Sequence, residues 1–162
     1  TLKRLSAACL EAGADGIYYA ALGAEEERFS EALYTTYVKP LECDLLGSLM
    51  DRGVVFLHIC KDHPRLPMFQ EYPCHVVNWA EHSSRYSLED GAALFPRQRI
   101  LGGFDNKGGL LFDGKTEQLE ARISGVIDRI GRERTVIGAD CTLPGTTDTD
   151  RIRSVVELCA KL

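Results

Sequence analysis

Apolar positions along this chain fall alternately into a helical period and a strand-like period, with few residues between them. Leu2, Leu5, Cys9 and Ala12 share helical spacing, and Gly13 ends that run. Gly16-Ile17-Tyr18-Tyr19-Ala20 predicts a buried strand. Phe29 to Met50 predicts a mostly helical stretch in which Pro40 marks a kink or a fresh helix start. Asp51-Arg52-Gly53 closes it ahead of a second strand, Val54-Val55-Phe56-Leu57-His58-Ile59. A short helix from Leu66 to Tyr72 leads to a third strand, His75 to Trp79. Ser87 predicts the cap of a helix reaching about Phe95, with Glu89 and Asp90 against its positive end. Arg99 to Phe104 reads as a fourth strand. Leu119, Ile123, Val126, Ile127 and Ile130 form one face of a helix from Thr116 to Ile130, with Gly131 just beyond it. Thr135 to Ala139 is the fifth strand, and a last helix starts near Thr149.

The strands are apolar runs rather than strict alternations, which predicts a parallel sheet covered on both faces. Five βα units in a row allow a doubly wound sheet or part of a barrel. A complete (β/α)8 barrel needs roughly 250 residues, so these 162 residues supply about five of its eight units. The expectation is an α/β chain of the TIM-barrel type, residues 1–162 forming a single domain that is the C-terminal portion of a barrel. The chain opens inside a helix, which suggests a piece of something longer, and two strand edges would be left unpaired.

Composition removes several classes. Lys and Arg number 19 against 24 Asp and Glu, a formal net charge of −5, and no basic stripe marks a nucleic-acid or anionic-membrane surface. No apolar run approaches the roughly 18 residues of a membrane span, and the N-terminus lacks a signal-peptide pattern. The six cysteines are too sparse for a disulfide scaffold, so the expected compartment is reducing and cytoplasmic. Cys9 and Cys159 share helical spacing with apolar neighbours and are expected in the core, Cys43 sits in a helical stretch as a core or half-exposed residue, and Cys74 carries no clear message.

Cys60 and Cys141 remain. His58 and Cys60 stand at i and i+2 at the end of the second strand and therefore share a face. Cys141 follows the fifth strand in Gly138-Ala139-Asp140-Cys141. The C-terminal strand ends form the functional face of parallel α/β folds. One imidazole and two thiolates converging there would make a three-ligand zinc site with an open fourth position. On spacing alone the competing reading is a buried histidine and two cysteines at the edge of the core. Other polar residues expected on this face are Lys61, Asn78, Trp79, Asp105 and Asp140, as candidates to line a substrate pocket. Glu25, Glu26 and Glu27 offer a fourth ligand, although a run of glutamates is usually a solvated helix start. His75 starts its strand at the wrong end for the site, and His63 and His82 read as surface loop residues.

Several segments resemble the uroporphyrinogen decarboxylase superfamily: Phe56-Leu57-His58-Ile59-Cys60, then Gly102-Gly103-Phe104-Asp105-Asn106 with Leu110-Leu111 and Gly114-Lys115-Thr116-Glu117-Gln118-Leu119. Gly138-Ala139-Asp140-Cys141-Thr142-Leu143-Pro144 resembles its last turn, and Phe29, Tyr37, Val38 and Pro40 resemble an earlier helix. The resemblance runs in order along nearly the whole chain. It implies a (β/α)8 barrel and two kinds of chemistry: metal-free decarboxylases of tetrapyrroles, and zinc-dependent methyltransferases that take a methyl group from a corrinoid protein. In the methyltransferase branch, the zinc ligands carry over to His58, Cys60 and Cys141. The implied cofactors are zinc and a methyl-corrinoid donor on a partner protein, and the implied substrate is a thiol. The chain departs from the family pattern at Lys61, where glycine is usual, and offers no clear fourth protein ligand.

The alternatives are a lyase that removes carboxylates from a tetrapyrrole, which needs a cluster of Arg and Asp, and an inactive half-barrel. The half-barrel would bind a partner chain or self-associate through its open edges.

Overall fold

The computed structural model describes residues 1–162. Its sheet has five parallel strands: β1 (Gly16–Ala21), β2 (Val54–Ile59), β3 (Val76–Trp79), β4 (Arg99–Phe104) and β5 (Thr135–Ala139). The strands lie in the order β1-β2-β3-β4-β5, so every strand pairs with its sequence neighbour. A doubly wound sheet reverses its order at a switch point; this one has none.

Around the sheet run α1 (Leu2–Glu11), α2 (Glu31–Leu33), α3 (Lys39–Gly47), α4 (Leu88–Leu94), α5 (Leu110–Asp113), α6 (Thr116–Ile130) and α7 (Thr149–Lys161). The expected helix break at Pro40 takes a particular form: α2 passes through a π-helical turn, Tyr34–Val38, and α3 starts with Pro40 in its first turn. The sequence did not predict α5, and the predicted short helix after β2 is a single 3₁₀ turn, Leu66–Phe69.

Strand pleating sorts the side chains. Val55, Leu57 and Ile59 on β2, Val77 and Trp79 on β3, and Ile100 on β4 enter the core beneath α3, α4 and α6. A second cluster joins Phe104 to Leu111, Leu119, Ile123, Val155 and Leu158 of α5, α6 and α7. The core therefore lies on one face of the sheet. On the other face, Tyr18 stacks on Phe56 and His58, and Tyr18 is 55% exposed. The expectation of cover on both faces holds for one face only, because sequential right-handed crossovers put all the helices on one side.

Local chemistry sets the helix ends. Asp90 N–H donates to Ser87 Oγ (3.1 Å), and Ser87 N–H donates to Asp90 Oδ2 (2.9 Å), a reciprocal cap for α4. Gly131, at φ 90°, ends α6. The α6 stripe Leu119, Ile123, Val126 and Ile130 is buried, each side chain contributing about 1.5–3 kcal/mol. By contrast α1 has no fully buried residue and only Leu10 packs in part against the core, so the core placement expected for Cys9 fails and its thiol is exposed. Cys159 is half-buried against the second cluster, and Cys74 is buried. No helix is long and apolar enough to cross a membrane.

Candidate metal centre

His58 is the fifth residue of β2 and Cys60 follows the strand, so one pleat delivers both to the face opposite the core. Cys141 comes from beyond the end of β5, with β3 and β4 lying between. On a flat sheet, three strand spacings of about 4.8 Å would hold these sites about 14 Å apart. The Sγ atoms of Cys60 and Cys141 are instead 4.0 Å apart, and Cys141 Sγ lies 3.3 Å from His58 Nε2. All three donor atoms lie within 4.8 Å of one another. Strong curvature of the sheet toward this face brings them together.

The donor set fits zinc. Tetrahedral Zn–S and Zn–N bonds of about 2.3 and 2.05 Å imply S···S near about 3.8 Å and S···N near about 3.6 Å, close to the spacings found. Burial pushes the His58 imidazole below its ordinary value, so the neutral, ligating form prevails at neutral pH. Burial and the neighbouring Cys141 push the Cys60 thiol up, while the Lys61 backbone N–H and then its ammonium pull it down. A divalent cation between the sulfurs would relieve that mutual repulsion.

Behind the ring, Asn78 is the cross-strand partner of His58 and is 1% exposed. Its Oδ1 lies 2.5 Å from His58 Nδ1 and accepts from the Tyr18 hydroxyl at 3.0 Å. Burial, then the two thiols, push the Tyr18 phenol up to about 12, which keeps it a donor.

In front, a cavity of about 230 Å³ opens over the two sulfurs, walled by Lys61, Asp62, Ala80, Asn106 and Lys107. Lys107 is committed: its Nζ donates to both oxygens of Asp62 at 2.9 Å and to Ser83 at 3.2 Å. Lys61 stands at φ 81°, a left-handed conformation that a non-glycine residue adopts only under strain. A glycine would relax there.

The remaining candidates disperse. Trp79 is fully buried on the helix side; its ring packs on Gly91 and its indole N–H donates to the Tyr86 carbonyl. It is no pocket wall, because the pleat that turns Asn78 inward turns Trp79 outward. Asn78 faces the group of His58, Cys60 and Cys141 from behind rather than lining the cavity. Asp105 caps its own turn through Lys107 N–H at 2.8 Å. Asp140, 1% exposed, accepts from the His82 backbone N–H (2.8 Å) and pairs with His82 Nδ1 (3.0 Å), leaving Oδ1 without a partner. His82 is thus half-buried and hydrogen-bonded rather than a free loop residue, a pairing across 58 positions that no local signal announces. With Glu81 these two residues form a second cluster, but Glu81 is already paired with Arg122 at 3.1 Å.

The glutamates do not start a helix. Glu25 is buried and accepts from Gly23 N–H, and Glu26 pairs with Arg85. His75, at the far end of the sheet, accepts from Val55 N–H through Nδ1.

Fold and site together define a parallel α/β sheet of sequential strands that gathers one imidazole and two thiols at its C-terminal edge. No family model and no curated protein matches this sequence. Among solved structures, a methyltransferase from Methanosarcina mazei superposes with a TM-score of 0.78 at 21% identity over 95% of the chain. A protein assigned as a vitamin-B12 independent methionine synthase from Listeria monocytogenes superposes with a TM-score of 0.68 at 16% identity over 98% of it. These likenesses establish the fold. The chain spans 44% of the first protein's length and 52% of the second's.

Proposed function

We propose that this chain is the C-terminal part of a (β/α)8 barrel in a zinc-dependent methyltransferase of the uroporphyrinogen decarboxylase superfamily. It acts on a substrate thiol and receives the methyl group from a corrinoid carried by a partner protein. The observation that carries this reading is the convergence of His58, Cys60 and Cys141 from β2 and from beyond β5, at spacings that suit tetrahedral zinc. A sheet curved in this way would suit a barrel wall, and the methyltransferase neighbour shares the fold.

His58, Cys60 and Cys141 would hold the ion, and a bound zinc supplies a Lewis acid that renders a thiol nucleophilic at neutral pH. The chain's own part is to orient and to exclude. The neutral ring of His58 and two thiolates give a site of low net charge once loaded. The cavity over the sulfurs admits a small molecule, and Lys61 sets a cation at its wall. The ion pair of Lys107 with Asp62 closes one side of that wall.

Zinc per chain, measured by elemental analysis on protein purified without chelator, tests the reading. About one equivalent, lost in Cys141→Ser, is expected. No zinc even after adding it back would sink the assignment.

A further inference from the structure

We propose that Asn78 is a positioning residue that locks His58 in its Nδ1–H tautomer, so that Nε2 faces the two sulfurs bare before any ion arrives. This role rests on the metal-centre reading for its purpose, while the lock itself is a matter of hydrogen bonds within the chain.

The amide of Asn78 can be oriented unambiguously. Its Nδ2 donates to the Leu101 carbonyl at 2.9 Å and to the Ala139 carbonyl at 3.2 Å. Turning the amide over would set its oxygen against both of those carbonyl oxygens, deep in the protein, where facing acceptors have no water to separate them. Oδ1 is therefore the atom that faces His58 Nδ1 at 2.5 Å and the Tyr18 hydroxyl at 3.0 Å. An amide oxygen only accepts, so Nδ1 must carry the hydrogen. A neutral imidazole has one N–H, which leaves the lone pair on Nε2, 3.3 Å from Cys141 Sγ.

With two donors and two lone pairs all engaged, Asn78 has nothing left to offer a substrate. Its bonds reach Tyr18 on β1, His58 on β2, Leu101 on β4 and Ala139 at the end of β5. Ala139 stands two residues before Cys141. The same amide that sets the tautomer of one ligand thus holds the strand that delivers another, and the two are placed in a common frame.

The experiment is a long-range ¹H–¹⁵N correlation spectrum of the chelator-treated protein, which reads each histidine tautomer, paired with zinc titration against a competing chelator. Wild-type protein is expected to show His58 as Nδ1–H with no metal present. In Asn78→Ala the ring should lose that preference, and zinc affinity should fall about 10–100-fold, the usual effect of removing such a partner. Tyr18→Phe, which leaves both amide donors engaged, should keep the tautomer. A role in stability alone would lower the melting temperature of Asn78→Ala without moving either readout. Nε2–H in the wild type overturns the proposal even if Asn78→Ala fails to fold, and so does a folded Asn78→Ala with unchanged tautomer and affinity. Wild-type protein that shows Nδ1–H yet binds no zinc supports the lock and removes the metal centre instead.

Discussion

Burial separates the thiols of this chain into reactive and inert ones. Burial pushes the Cys74 thiol up to about 12, whereas Cys9 stands exposed on α1. Only the thiolate reacts quickly with alkylating agents. Iodoacetamide at pH 8 is therefore expected to modify Cys9 first and Cys74 last, as read by peptide mass mapping. Equal rates would contradict the packing around Cys74. A second residue-scale prediction concerns His82, whose pKa is raised above its ordinary 6.5 chiefly by the hydrogen bond to Asp140. A raised histidine contributes stability that is full below about 6.5 and is lost as pH rises through the folded value. An NMR titration should place His82 above 6.5, and Asp140→Asn should bring it down. How far single residues were legible follows from the range of their partners. His58 and Cys60 could be read because two positions on a strand share a face. Trp79 lies in the core and Asn78 behind His58, because the pleat, not nearness to the strand end, decides which side chain reaches the cavity. The bond between Asp140 and His82 joins distant loops, and nothing local encodes it.

At the scale of elements, the helix layer hangs on one buried carboxylate. Glu42 on α3 accepts from Tyr34 (2.7 Å) and Tyr72 (2.8 Å) on one oxygen and from Tyr19 (2.9 Å) on the other. All three phenols are pushed above their ordinary range, first by burial and then by Glu42, so they stay protonated donors. Glu42→Leu strands the hydroxyls of Tyr34 and Tyr72 in the core and should cost about 3 kcal/mol. Chemical denaturation checks this, and zinc content should stay unchanged, since Glu42 lies on the helix side of the sheet. Close approach governs α4. A Cβ on Gly91 would sit 2.0 Å from Cη2 of Trp79, so Gly91→Ala must lift the helix off β3 and should cost about 1–3 kcal/mol in the same assay. Strand and helix order was legible in the apolar periods, α6 almost to the residue. The π-helical turn Tyr34–Val38 was not, because no run of residue types marks such a turn. Nor was the bareness of α1, whose apolar stripe is written in the sequence although nothing in this chain covers it.

At the scale of the molecule, β1 and β5 are the two edges of the sheet. Apolar side chains lie exposed near both: Tyr18, Leu22, Tyr37 and Leu41 toward β1, and Ile152 and Val156 on α7 beside β5. Open edges with apolar flanks pair with whatever strand they meet. These 162 residues prepared alone are expected to sediment as concentration-dependent oligomers, and a monomer at all concentrations would show that the edges are self-protected.

Sequential strand order also sets a timetable for synthesis. From β2 onward, each strand emerges to find its neighbour already made, so the sheet can grow in the direction of translation. The sulfur pair keeps a later schedule, because Cys60 is present after the second strand and Cys141 arrives only behind the fifth, 81 residues on. A chain stalled before that point offers an ion only His58 and Cys60, a pair of donors that holds it weakly. On the zinc reading proposed above, capture by both sulfurs would mark the chains in which β5 has docked on β4.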